Sequence, residues 1–304
     1  MPRGKVVAHR LEEERAVIVT AIRDTDVLPL PPGADDEATA IVRALYTDGI
    51  TAKKGAFSRE LAEGMREDIE AAFEEARSRP GGAVGRGPKR WYVEIHPEQL
   101  RAFVEIVDHP WFRKVCESVL GPDYQIVEVG FDIPFAGAVN QPWHRDFPMP
   151  ETTRREGRLT SLAFNLTAVD TEEDMGPFEI APGTQWDWSE AFGHEMFPPK
   201  PLYPRYQERA VRKYPKMGDI SARSALTIHR GTKNESQKSR PVLVIGVDAP
   251  GAGNAEHHDL AVTKGYWAQL PQSVRDHLVC PIVDELTPIT QKHSIEGLVM
   301  GEAE

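Results

Sequence analysis

Cysteine is nearly absent from this chain: Cys116 and Cys280 are the two in 304 residues, and neither has a thiol neighbour in sequence. A disulfide-framed secreted fold is thereby excluded, and a reducing, cytoplasmic compartment is expected. No stretch approaches the ~20 consecutive apolar residues that cross a bilayer. The opening run MPRGKVVAHRLEEERAVIV places acidic residues where a signal peptide needs its apolar core. Positive charge is also short. Lysine and arginine number 36 against 47 aspartates and glutamates, a formal charge of −11, so no global field draws the chain to nucleic acid or an anionic membrane. Internal repeats and heptads are missing too. What remains is ordinary: 40% apolar and 27% charged residues, enough for one well-buried soluble domain with decoration.

Residues 24–36 carry Pro29, Pro31, Pro32 and Gly33 between charged segments and read as a linker. We therefore expect an N-terminal arm and linker at 1–35 and a single domain at 36–304. Its first part is helical. Ile41, Leu45 and Tyr46 suit one inward face, and Ser58 suits the cap of a helix on which Leu61, Met65, Ile69 and Phe73 recur every four residues. Residues 79–90, RPGGAVGRGPKR, are too rich in glycine for regular structure. Helices resume at 97–107 and 110–120, with prolines in their first turns. The period then changes. Residues 124–131, 159–169, 220–229 and 241–247 are short β-branched or aromatic runs separated by turns, which predicts antiparallel strands. Helices come first and a strand-rich core follows.

That core holds the chemistry. In QPWHRDFPMP, His144 and Asp146 are two apart, so an extended backbone points both to one side. His229 follows 85 residues later, and Arg240 stands eleven beyond it, at the start of an apolar strand. Two imidazoles and a carboxylate form the facial triad of non-haem Fe(II), which leaves positions open for a cosubstrate and O₂. An arginine grips a carboxylate with a two-pronged fork. The set reads as an iron oxygenase that consumes a 2-keto acid. Zinc also accepts two histidines and an aspartate with water, but it needs no keto-acid clamp, and the arginine favours iron. Gln125, on a neighbouring strand, is a candidate helper that could donate its amide to the cosubstrate.

These residues resemble the phytanoyl-CoA dioxygenase-like branch of the Fe(II)/2-oxoglutarate oxygenases. The resemblance runs from about Ile41 to Leu278 and is strongest between Gln141 and Val247. It includes QPWHRD, GPFEIAPGT at 176–184, and GDISARSALTIHRGTKNESQKSRPVLVI. It implies a double-stranded β-helix, a cupin-like jelly roll flanked by helices. His144, Asp146 and His229 would be iron ligands, Arg240 the anchor of the 2-oxoglutarate carboxylate, and O₂ the oxidant. Related iron halogenases replace the carboxylate with a small residue; Asp146 keeps it, so hydroxylation is the expected outcome, with desaturation, ring closure or epimerisation open to the same centre. The chain departs from the family at Met175, where asparagine is frequent, and at Gln185, where histidine commonly follows. Neither is a ligand, so both bear on the substrate.

Three segments stand near the expected mouth. The first is the basic loop of Arg86, Lys89 and Arg90; the second is PMPETTRREGR with Arg154, Arg155 and Arg158. The third is the aromatic excursion from 185 to 216, expected as a lid or an oligomer interface. His194 lacks metal spacing, and His257 and His258 read as a surface pair. The expected substrate is a small or carrier-linked molecule, with a secondary metabolite among the options, and the expected assembly is a monomer or homodimer. The competing readings are a protein or nucleic-acid oxygenase, for which a basic surface is wanting, and a non-catalytic metal-binding jelly-roll module.

Overall fold

The computed structural model describes residues 19–20 and 28–292. The expected arm at 1–35 lies mostly outside them; its described pair, Val19–Thr20, runs antiparallel to Asp187–Trp188. Helix α1 (Asp36–Thr47) starts where Asp35 accepts the Ala38 N–H at 2.8 Å, and it buries Ile41, Val42, Leu45 and Tyr46. Helix α2 (Arg59–Arg77) is capped by Ser58, as its sequence predicts, and buries Met65, Ile69 and Phe73. The stretch expected as one helix at 97–107 divides into a 3-10 turn at Pro97–Gln99 and a short α3 (Phe103–Val107). Helix α4 (Pro110–Leu120) has its proline in the first turn, where the missing N–H costs nothing. Among the described residues no helix is long and apolar enough to cross a membrane.

Among the described residues ten strands enter two facing sheets. They are β1 (Ile50–Lys53), β2 (Val84–Gly85), β3 (Arg90–Glu94), β4 (Gln125–Pro134) and β5 (Ser161–Thr167). Then follow β6 (Phe178–Ile180), β7 (Val211–Lys213), β8 (Ile220–Ser224), β9 (His229–Gly231) and β10 (Val242–Asp248). The large sheet has the order β1-β8-β5-β10-β4-β3-β2 and the small one β9-β6-β7, antiparallel throughout. This is the expected jelly roll. Alternation along the large sheet separates two kinds of surface. Val129, Phe131, Leu162, Phe164, Leu166, Leu243 and Ile245 join the helices in one core, where Phe164 stacks on Phe112 at 4.0 Å. Removing a ring buried this fully costs about 3–5 kcal/mol. The opposite face carries Arg90, Tyr92, Glu94, Glu128, Asp132 and Arg223, and it looks toward the small sheet: Arg90 lies against Gly231, and Arg223 over the Phe178 ring at 5.6 Å.

The strand expected at 220–229 is two strands. Ser224 turns the chain, the Thr227 N–H returns to its carbonyl at 3.0 Å, and His229 emerges in the small sheet. Gly49 makes the corner possible. Its φ is +77°, and a Cβ there would stand 2.2 Å from Thr227 Oγ1, a position only glycine tolerates.

His258 differs from its expected surface role. It is largely buried, and its Nδ1 lies 2.7 Å from an oxygen of Glu94, whose other oxygen accepts the Asp259 N–H. Gln291 bonds the backbone of Glu94 on both sides, at 2.8 and 3.0 Å. The polar face of β3 thus ties down the chain beyond the jelly roll. Burial alone would lower the His258 pKa, but the hydrogen bond and charge of Glu94, with Glu128 and Asp248 nearby, raise it above the ordinary value. A raised folded-state pKa gives stability that is complete below the unfolded value of about 6.5 and is lost as pH climbs through the folded one. The urea midpoint should therefore fall as pH is raised across that window, and His258→Gln should flatten this part of the slope while lowering the midpoint at pH 6.

Candidate functional site

His144 and His229 meet as a reciprocal backbone pair. The His144 N–H donates to the His229 carbonyl at 3.0 Å, and the His229 N–H returns to His144 at 2.8 Å. The rings stand side by side, centroids 4.4 Å apart. Each is pinned in the same way: Nδ1 of His144 lies 2.8 Å from the Pro142 carbonyl, and Nδ1 of His229 lies 2.9 Å from that of Thr227. A carbonyl only accepts, so both Nδ1 atoms carry the proton and both Nε2 atoms present a lone pair. Asp146, whose N–H donates to Ala225 at 2.9 Å, completes the set. The ligand atoms of all three lie within 4.8 Å of one another, and His229 Nε2 is 3.4 Å from Asp146 Oδ1. A first-row ion with bonds of ~2.1 Å holds adjacent ligand atoms about 3 Å apart, so the set needs little movement to close on one.

The protonation states suit a cation. Burial pushes His144 down and His229 well down, aided at His229 by the Arg223 guanidinium, so both imidazoles are neutral at physiological pH. Asp146 sits in a recess that solvent reaches, its side chain 30% exposed. Burial would raise its pKa, yet Arg223 first, then His229, hold it below the usual carboxylate value. The carboxylate is charged.

Arg223 was not legible as a site residue. It projects from β8 with 5% exposure and forks Asp146, Nη1 to Oδ2 at 2.6 Å and Nη2 to Oδ1 at 3.2 Å. A charged residue on a buried strand, in ISARS, was the available signal. Its guanidinium fixes the rotation of the carboxylate beside the two histidines, as outer partners of metal ligands do.

Arg240 precedes β10 and is 4% exposed. Its Nε donates to the carbonyls of Met175 at 3.2 Å and Gly176 at 3.0 Å, while its terminal nitrogens have no protein acceptor among the described residues. Burial, then neighbouring Arg90, lower its pKa to about 10, which leaves a full positive charge at neutral pH. The prongs of the fork are free for a carboxylate. Because Met175 serves through its backbone carbonyl, the departure from asparagine there leaves this contact unchanged. Gln185, the other departure, is buried and donates to the carbonyls of Leu45 and Tyr46 at 3.3 and 3.0 Å. It latches the fold to α1.

Gln125 is not brought to the site. It pairs with Asp248 at the far end of β4 and β10, whereas Arg240 adjoins the end where Asp132 faces Val242. Seven residues of strand at ~3.3 Å each put more than ~20 Å between these ends. The basic loop divides as well. Lys89 is exposed with φ 56°, Arg86 lies over the Tyr92 ring at 5.3 Å, and Arg90 is a buried strand residue paired to Asp132 at 2.8 Å. Of the second basic segment, Arg154 lies 4.7 Å over Trp188, and Arg155 meets Glu151 at 3.8 Å in an exposed helical pair.

The excursion at 185–216 reaches the centre in its first half. Met196 accepts the Arg145 N–H at 3.1 Å, and Phe197 stacks on the His144 ring at 5.9 Å. The tip turns through His194 and Glu195, both exposed at positive φ (48° and 59°), an uncommon backbone for such residues. In its second half Val211–Lys213 is β7, an outer strand of the small sheet, so that part is wall.

The profile of a family described as phytanoyl-CoA dioxygenase (PhyH) matches residues 45–242. A curated relative, dioxygenase aneA of Aspergillus aculeatus, is 23% identical over 287 residues, which cover 85% of this chain and 83% of that protein. The solved structure of EctD from S. alaskensis with bound Fe is similar at a TM-score of 0.60 and 16% identity, over 78% of this chain and 85% of that one. SnoK from nogalamycin biosynthesis, a non-heme alpha ketoglutarate dependent carbocyclase, is similar at 0.56 and 18% identity, over 74% of this chain and 90% of its own.

The Asp146–Arg223 fork yields a direct test. Arg223→Lys offers one point charge in place of two parallel donors, and affinity for Co²⁺, read from its visible absorption, should drop about 10- to 100-fold without loss of the folded far-ultraviolet dichroism. Unchanged Co²⁺ affinity would reduce Arg223 to a packing role.

Proposed function

The chain belongs to the phytanoyl-CoA dioxygenase family, and on that premise we propose that it is an Fe(II)- and 2-oxoglutarate-dependent dioxygenase that hydroxylates a small metabolite. The observation that carries the proposal is the paired preparation of two partners. Two Nε2 lone pairs and a charged carboxylate converge on one point, and a buried guanidinium keeps its fork free of protein acceptors among the described residues. Neither half has an evident use without the other. EctD from S. alaskensis, solved with 2-oxoglutarate and 5-hydroxyectoine, supports the cosubstrate. Iron, once bound, would supply the activation of O₂.

In this reading His144, Asp146 and His229 hold Fe(II), and Arg240 holds the distal carboxylate of 2-oxoglutarate. Neutral imidazoles and an ionised aspartate leave the bound ion with one positive charge, which favours the anionic cosubstrate. Arg223 keeps Asp146 from rotating and from taking a proton. Phe197, against the His144 ring, and Phe178, 5.2 Å from the His229 ring, would flank the two imidazoles that hold the ion. Each turnover consumes one O₂ and one 2-oxoglutarate, releases CO₂ and succinate, and places one oxygen atom in the product.

Anaerobic addition of Fe(II) and 2-oxoglutarate should give a weak visible charge-transfer band. Alanine at His144, Asp146 or His229 should abolish it through lost iron, whereas Arg240→Lys should retain iron and raise the 2-oxoglutarate requirement roughly tenfold or more. Full iron stoichiometry in all three alanine variants would sink the assignment. Metabolites are then screened by stimulated succinate release, with ¹⁸O₂ locating the new oxygen. A product short of two hydrogens with no new oxygen assigns desaturation or ring closure instead.

The excursion around Phe197 is proposed as a lid. Proteolysis at 189–199 should slow when iron, 2-oxoglutarate and substrate are present together. Protection that follows protein concentration and ignores ligand would identify an interface between copies of the chain.

A further inference from the structure

Glu128 occupies the inner face of β4, in register with Gly246 on β10, and the row continues through Ala163 on β5 to Arg223 on β8. Directly opposed residues of an antiparallel sheet share a face, so Glu128 and the Arg223–Asp146 pair stand at opposite ends of one row. Three strand spacings separate their backbones, about 14 Å, and their long side chains narrow that gap from both sides. Between them the floor is a glycine and an alanine. The Glu128 carboxylate lies across this floor: a Cβ on Gly246 would be 2.6 Å from its Oε2.

Tyr92 fixes the carboxylate by donating its hydroxyl to Oε1. The phenol lies over Gly130, where a Cβ would come within 2.5 Å of its oxygen. Two glycines thus make room for a phenol–carboxylate pair that could not otherwise lie flat on the sheet. Among the described residues Oε2 accepts no hydrogen bond and Glu128 forms no salt bridge; its charge acts on His258, whose pKa it helps to raise. Three other charges of this interior are committed, while Arg240 keeps its fork open. Arg90 pairs with Asp132, Arg223 with Asp146, and His258 with Glu94. Arg86 is held on the face of the Tyr92 ring, 5.3 Å from its centroid.

We propose that Glu128 and Tyr92 form the substrate subsite, and that its occupant is a small molecule bearing a cationic nitrogen, which Glu128 receives through Oε2 while the carbon to be oxidised lies over Gly246 and Ala163. A half-buried carboxylate with one oxygen fixed and the other unused calls for a charge-assisted donor. An anionic or purely apolar substrate would leave Oε2 without a donor. The proposal rests on the dioxygenase reading, and Glu128 is a specificity residue outside the iron and 2-oxoglutarate sites.

The test uses the full chain loaded with Fe(II) and 2-oxoglutarate, and a panel of small primary, secondary and tertiary amines, each matched to its N-acyl or carbon isostere. Substrate-stimulated succinate release and equilibrium binding are measured for the native protein and for Glu128→Gln, which preserves the Tyr92 hydrogen bond and the volume. Productive compounds should come from the cationic half, lose about 10- to 100-fold in kcat/KM when neutralised, and lose a comparable factor against Glu128→Gln. Tyr92→Phe should give a smaller loss in the same direction. The anaerobic charge-transfer band must persist in both variants. If the native protein lacks that band, the dioxygenase reading fails. If the band is present but only neutral or anionic compounds bind, no amine binds, or Glu128→Gln treats amines as the native protein does, the cationic subsite is overturned.

Discussion

Two hydrogen bonds between the backbones of His144 and His229 set the geometry on which the rest of this structure depends. They are exchanged by one residue pair, so they fix register as well as distance. Slippage by a single residue would turn one imidazole to the opposite face. With the pair in place, Asp146 falls on the same side two residues along, and each Nδ1 finds a carbonyl two residues back in its own chain. The two imidazoles need no long-range correction; the Asp146 carboxylate is turned by Arg223. The candidate ligand set is the consequence of one ladder rung between segments 85 residues apart.

A second constraint is electrostatic. Arg90, Arg223 and Arg240 are all nearly fully buried around the inner space, although the chain as a whole is acidic. Each is treated differently. Arg90 is matched by Asp132, Arg223 by Asp146, and Arg240 by backbone carbonyls at one nitrogen only. Burying a cation with incomplete partners is unfavourable unless a counter-charge arrives. The net charge computed from composition is therefore a poor guide to the field inside, since surface acids are screened within a Debye length of ~10 Å and the interior arginines are not.

Local signals in the sequence located most of the framework. The four-residue stripe of α2, the Ser58 cap and the period-two runs of β4, β5 and β10 are decided by neighbours within a turn or two, and they lie where the pattern puts them. HxD, the distal histidine and Arg240 stand out in sequence because each has a short and demanding context, and the structure brings His144, Asp146 and His229 within 4.8 Å of one another. What escaped depends on strands that meet only after folding. Arg223 could not be assigned to Asp146, 77 positions away, without the β8–β5 pairing. Gln125 was misplaced because membership of a neighbouring strand says nothing about which end of it is near. The single strand expected at 220–229 failed at Gly49, a residue far off in sequence whose missing side chain admits the Thr227 corner. His258 reads as a surface residue in sequence because its partner, Glu94, lies on a strand 164 residues earlier.

The alternation of the large sheet puts packing and the proposed substrate contacts on different residues of the same strands. Val129, Phe131, Leu243 and Ile245 hold the helices, while their immediate neighbours Glu128, Gly130, Asp132 and Gly246 look the other way, at whatever enters. Odd and even positions are thus exposed to separate selective pressures. Lineages on this scaffold can drift in the compounds they accept by exchanging inward residues, while the outward ones conserve the melting behaviour of the barrel. Inheritance of the fold, on this arrangement, constrains ancestry far more than it constrains diet.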